Sequence, residues 1–127
     1  MKGMIHLKNE LIIKKCNVCG AMVKVLTDGR VVCCGQEMTT LTPNSVECAI
    51  EKHIPTYERV EDEVYVKVPH VMEKEHYIEW VAMVAENKEC MVKLYPEQDA
   101  EARFKYIPGS TIYAYCNKHG LWKIDVE

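Results

Sequence analysis

The sequence has no apolar run approaching the roughly 18 residues of a membrane span. Its opening stretch, MKGMIHLKNELIIKK, holds only Leu11-Ile12-Ile13 as a continuous apolar piece. It lacks the apolar centre and small-residue cleavage site of a secretory leader. A basic excess is missing too. Sixteen Lys and Arg stand against nineteen Asp and Glu, giving a net charge of −3 with the signs mixed along the chain. A general nucleic-acid binder would show a basic stripe. There is no internal repeat and no low-complexity segment. These absences lead to the expectation of a cytoplasmic protein that partners neither nucleic acid nor membrane.

What the sequence does have is cysteine. Seven cysteines and five histidines occur in 127 residues. An odd number suits a secreted disulfide framework poorly, and clustered cysteines in a reducing compartment more often bind metal. The length suggests one domain, or one domain plus a small satellite. Apolar residues make up 48% of the chain, enough for a modest core.

From Glu63 onward the patterning has period two. Val64, Val66 and Val68 share one face; Ile78, Trp80, Ala82 and Val84 alternate; so do Cys90, Val92 and Leu94, then Ala102, Phe104 and Tyr106, and TIYAY at 111–115 is a further strand. Short strands at roughly 8–12-residue spacing predict an all-β sandwich or barrel. The one helical candidate is NSVECAIEK, 44–52, with Asn44 as cap, Glu47 three residues later and Pro55 as stop. It would deliver Glu51, Lys52 and His53 to a loop. Before Thr39 the character differs: short β-like pieces and a turn at Asp28-Gly29 lie between cysteines, with too few apolar residues for a separate core. Such a segment needs a metal or disulfides to hold a shape. The chain therefore divides into 1–41, an N-terminal extension plus metal module, and 42–127, the main domain.

Cys16-x-x-Cys19-Gly20 followed by Cys33-Cys34-Gly35 is a four-thiolate set. A Cys-x-x-Cys turn puts two sulfurs on one side, and the glycine after it lets backbone N–H groups point at them. Neighbours on a strand face opposite ways, so Cys33 and Cys34 can share a metal only if the chain bends, which Gly35 permits. Zinc and iron both accept four thiolates. His6 reads as a solvated residue. His53, His70, His76 and His119, with Cys116, each fall at a loop or strand end. Taken singly they are ordinary surface or core residues; together, at one rim of a sandwich, they could share a metal.

EKHIP at 51–55, HVMEKEHYIEW at 70–80 and CNKHGLW at 116–122 resemble the three iron-binding motifs of superoxide reductases, and the vicinal cysteines resemble the desulforedoxin-like module of the two-iron members, the desulfoferrodoxins. The resemblance runs from about Lys15 to Lys123. It implies an all-β protein: a small desulforedoxin-like four-cysteine metal module followed by an immunoglobulin-like β-sandwich, usually as a homodimer. It also implies His53, His70, His76 and His119 as equatorial ligands of a catalytic iron, and Cys116 as its axial thiolate. Cys16, Cys19, Cys33 and Cys34 would hold a second iron, or zinc. Glu51 and Lys52 match the pair before the first histidine, the lysine steering superoxide and the glutamate ligating the oxidised iron. Val71 and Lys118 depart from the pattern without removing a ligand.

The implied reaction reduces superoxide to hydrogen peroxide by one electron and two protons, with a reduced donor such as rubredoxin. A rubredoxin-like electron carrier using the four-cysteine iron alone is the alternative, and a zinc-stabilised binding module a third. Of the remaining residues, Cys48 and Cys90 read as core thiols, and Trp80, Leu121 and Trp122 as packing around the site.

Overall fold

The computed structural model describes residues 10–45 and 52–127. In the first part, β1 (Ile12–Lys15) pairs antiparallel with β2 (Met22–Val25) and β5 (Thr39–Thr40), while β3 (Val32–Cys33) and β4 (Gln36–Glu37) form a small hairpin. The second part holds β6 (Thr56–Val60), β7 (Glu63–Lys67), β8 (Ile78–Ala85), β9 (Lys88–Lys93), β10 (Glu101–Lys105), β11 (Thr111–Cys116) and β12 (Gly120–Asp125). These form a three-stranded sheet, β10-β7-β6, and a four-stranded sheet, β12-β11-β8-β9. Seven antiparallel strands split three and four match the immunoglobulin-like sandwich implied by the motifs.

The period-2 runs explain the packing. Val64 and Val66 of β7, Ala102 and Phe104 of β10, Val81 and Met83 of β8, and Ile112 and Ala114 of β11 meet between the sheets. The alternate residues of β8 and β11 do not face water. Trp80, Ala82, Val84, Tyr113, Tyr115 and Leu121 form a second apolar layer with Leu11 and Ile13 of the N-terminal part. The buried Leu11 N–H donates to the Tyr113 hydroxyl at 3.1 Å and fixes that seam. β8 and β11 thus carry near-continuous burial, as a strand covered on both faces must.

One irregularity positions the site. Tyr115 pairs with Trp80 but Cys116 pairs with Ile78, so β8 carries one extra residue, Glu79. This bulge switches parity: Trp80 faces the N-terminal layer, whereas Ile78, two residues earlier, joins the sandwich core with Cys116.

Several local expectations are revised. The turn placed at Asp28-Gly29 is a bend two residues earlier, at Leu26 and Thr27, and an ion pair of Lys14 with Asp28 at 3.3 Å ties down the segment that follows. β6 and β12 carry no clear alternation and were not expected as strands. β6 is an edge strand, almost wholly exposed, so one face needs no apolar pattern. Most of the helical candidate, with Cys48 and Glu51, falls on residues 46–51, outside the described residues, and among the described residues there is no α-helix. His6 lies outside them as well.

Candidate metal centre

Three loops meet at one end of the sandwich. His53 enters from the segment before β6, His70 and His76 from the β7–β8 connection, and Cys116 and His119 from the β11–β12 turn. Their ligand atoms all lie within 4.8 Å of one another. The four imidazoles contact in a closed cycle. Ring centroids are 4.8 Å apart for His53 and His70, 4.6 Å for His70 and His76, 5.0 Å for His76 and His119, and 4.8 Å for His119 and His53. Each neighbour is turned edge-on, with interplanar angles from 69° to 88°. Four edge-on rings in a cycle make a square of inward-facing nitrogens. Cys116 Sγ lies 3.3 Å from His70 Nε2 and 3.7 Å from His119 Nδ1, which are opposite corners of that square. One atom near both ends of a diagonal sits on the square's axis. Cys116 is fully buried while His70, His76 and His119 are half-buried, so the sulfur side faces the core and the other side faces solvent.

Supporting contacts hold the rings. His70 Nδ1 donates to the Val71 carbonyl, which turns Nε2 inward as an acceptor. Trp122 stacks on His53 at 5.1 Å and 24°, and its Nε1–H donates to the His119 carbonyl at 3.2 Å. Burial holds the His70 imidazole below its ordinary pKa, the neighbouring histidines adding to this against the Val71 bond. Burial also lowers His76, helped by His119 and Lys118. Both effects favour the neutral rings that a metal needs.

The second cluster lies in the N-terminal part. The sulfurs of Cys16, Cys19, Cys33 and Cys34 are likewise within 4.8 Å of one another. Cys34 and Gly35 both have positive φ, 54° and 75°, the requirement of a type I′ turn. The bend between the vicinal thiols therefore begins on Cys34 itself and not on Gly35 alone. Cys16 Sγ accepts from the N–H groups of Val18 and Cys19, both at 3.4 Å. Those bonds bring the Cys16 thiol down to about 6, and the neighbouring Cys19 and Cys16 sulfurs push Cys33 up to about 12. Cys16, Cys19, Cys33 and Cys34 are free thiols.

Family models match both parts: the desulfoferrodoxin N-terminal domain over residues 8–41 and desulfoferrodoxin over residues 45–125. The chain is 41% identical to the desulfoferrodoxin of Syntrophotalea carbinolica, over 89% of this chain and 94% of that one. It belongs to the desulfoferrodoxin family. The desulfoferrodoxin of Desulfarculus baarsii is also 41% identical, over 91% and 96% of the two chains. Among solved structures, the superoxide reductase of Treponema pallidum superposes with a TM-score of 0.72 at 28% identity, covering 91% of this chain and 98% of that one.

Desulfoferrodoxins hold iron at a four-histidine, one-cysteine site and at a four-cysteine site, and this chain brings together both ligand groups. The residues fit such ions. His76 Nε2 is buried without a hydrogen-bond partner among the described residues and is aimed into the square, a donor left for a metal. Four crowded thiols, one acidic and its neighbour resistant to ionising, lose that conflict when a cation lies between them.

Three side chains depart from expectation. Cys90 is exposed, because β9 is the outer strand of the larger sheet and the smaller sheet leaves that edge uncovered. Trp80 and Leu121 pack in the layer against the N-terminal part, not around the histidines; only Trp122, on the other face, touches them. Lys52, Val71 and Lys118 are exposed.

Proposed function

We propose that this chain is a superoxide reductase. The closed square of four imidazoles over a buried thiol carries the reading, with one axial face toward solvent. Iron held by these five residues would supply the one electron that, with two protons, converts superoxide to hydrogen peroxide. The chain's own residues do the rest. His53, His70, His76 and His119 would hold the iron through their ring nitrogens, and Cys116 would add a thiolate from the buried side. The open side limits ligation to small molecules and lets solvent protons in. Lys52, next to His53, and Lys118, inside the Cys-x-x-His turn, add positive charge for an anion in an otherwise acidic protein. Glu51 would take the open position once product leaves.

Cys16, Cys19, Cys33 and Cys34 form the second iron or zinc site, in a unit covering residues 1–41; residues 42–127 form the catalytic unit. The exposure of Cys19 and Cys34 supports electron exchange with a reduced donor of the rubredoxin type. That exposure also favours the second reading, an electron carrier working through the four-cysteine iron alone. Val18, Leu26 and Val32 stand exposed on the small N-terminal part and support a homodimer. No helix of the described residues is long and apolar enough to cross a membrane. Clustered cysteines of the metal-binding kind support a cytoplasmic site of action.

The test is to mix ferrous, iron-loaded protein with superoxide. One peroxide per superoxide, with no dioxygen released, supports the reductase. Dioxygen release would mean dismutation, and an inert histidine site beside a redox-active four-cysteine site would leave the carrier.

A further inference from the structure

We propose that Asn117 is a positioning residue that locks His76 in register with Cys116 and His119. This rests on the reading of the five residues as one metal site. Asn117 makes three hydrogen bonds across the rim. Its backbone N–H donates to the Tyr77 carbonyl at 3.2 Å. Its side-chain Oδ1 accepts from the Tyr77 N–H at 3.0 Å. Its Nδ2 donates to the Glu75 carbonyl at 3.0 Å. His76 is the residue between those two partners.

The arrangement follows from the end of the β8–β11 ladder. That ladder reaches Cys116 through the Glu79 bulge and must then stop, because the chain turns to bring His119 back. At the next position the Asn117 N–H still pairs with Tyr77. The amide oxygen replaces the backbone carbonyl that would have accepted from Tyr77, and the amide nitrogen reaches one bond further, to Glu75. On its own side the loop is closed by the reciprocal Glu73 and His76 bridge, at 3.0 and 3.1 Å. His76 is therefore held by its own loop on one side and by Asn117 on the other. Since Asn117 directly follows Cys116 and lies two before His119, one side chain couples all three ligands.

Only asparagine meets the demand. Aspartate keeps the acceptor for Tyr77 but sets an anionic oxygen against the Glu75 carbonyl. Alanine provides neither contact. Lost outer contacts of metal ligands cost about 10–100-fold in metal affinity or activity.

The experiment compares iron-loaded wild type, Asn117→Ala and Asn117→Asp in a chelator challenge, following the absorption of each iron site separately. Asn117→Ala should release iron from the histidine site at least about tenfold faster. Asn117→Asp should fall between Asn117→Ala and wild type. The ferric–thiolate band of that site should shift, and the four-cysteine iron should be unchanged. If Asn117→Ala does not fold, Asn117→Asp alone decides. Wild-type release from both variants would overturn the proposal. Equal acceleration at both iron sites would also overturn it, since that marks general loosening. The readout is iron retention, so a protein that holds iron but ignores superoxide would refute the proposed reaction and leave the Asn117 result standing.

Discussion

Trp122→Phe tests how far the dry side of the square depends on one side chain. Trp122 is 1% exposed, stacks on His53 and donates to the His119 carbonyl. Phenylalanine keeps an aromatic ring for the stack but loses two things. The first is the Nε1–H, which leaves the part-buried His119 carbonyl without that donor, at a cost of about 1–3 kcal/mol. The second is ring volume, two carbons besides that nitrogen, beside a rigid sheet, worth about 1–2 kcal/mol at roughly 0.8 kcal/mol per buried CH₂-sized group. The sum is about 2–5 kcal/mol. For a chain of this size each kcal/mol moves the melting temperature by about 3–5 °C, so a fall of about 6–25 °C follows. Thermal unfolding of the metal-stripped protein, followed by circular dichroism, measures it. Trp122→Tyr also lacks the indole N–H at that point and should show a similar fall. A Trp122→Phe protein melting within 2 °C of wild type would refute this account of the packing.

Lys52→Ala with Lys118→Ala should slow superoxide capture about tenfold and flatten its salt dependence. One charge at about 6 Å in a dielectric of about 20 is worth roughly 3 kcal/mol before screening over a Debye length of about 8 Å. Stopped-flow mixing at two ionic strengths reads this, and an unchanged rate and slope would reduce both lysines to solvated surface. Cys116→Ser and His119→Ala should each abolish the ferric–thiolate band of the histidine site and spare the four-cysteine spectrum. Cys33→Ser should do the reverse, leaving superoxide reduction with an artificial donor. Metal-stripped protein should lose stability as pH falls. Burial holds His70 and His76 below the ordinary value of about 6.5, so below it the unfolded chain binds more protons and stability drops until the folded-state values are passed. Melting curves between pH 8 and 5 test it, and His70→Gln with His76→Gln should flatten the slope. Ile13→Ala, at a site 3% exposed, should cost about 2–4 kcal/mol and lower the unfolding midpoint of the whole chain.

The sandwich strands were legible because β7, β8, β10 and β11 alternate, and alternation is a local property of the sequence. All nine cysteines and histidines of the two clusters were legible because cysteine and histidine at loop ends are conspicuous. The four cysteines were grouped by their spacing, whereas the four histidines and Cys116 were fixed as one set by motif resemblance, since His53 and His119 meet across 66 residues. Trp80 was misplaced because parity was counted straight through Glu79, and a bulge leaves no mark in hydrophobic period. Cys90 was misplaced because an edge strand can keep an apolar pattern where the opposing sheet ends. β6 and β12 were invisible for a related reason: β6 is exposed, and β12 follows so closely on a ligand motif that Gly120, Leu121 and Trp122 read as part of the site. Asn117 gave no signal at all. An asparagine in a turn is ordinary, and its value lies in partners forty residues away.

The four-stranded sheet is wet on neither face at its centre, and this limits how the chain can be shortened. Removing residues 1–41 would bare Trp80, Val84, Tyr113, Tyr115 and Leu121 as one contiguous apolar wall. A wall of that kind makes a monomer sticky. Any descendant or engineered form that dispensed with the four-cysteine part would have to repaint that wall with polar residues, or recruit another surface to cover it. Loss of the four-cysteine part and rewriting of a distant strand face would then be inherited as a single event.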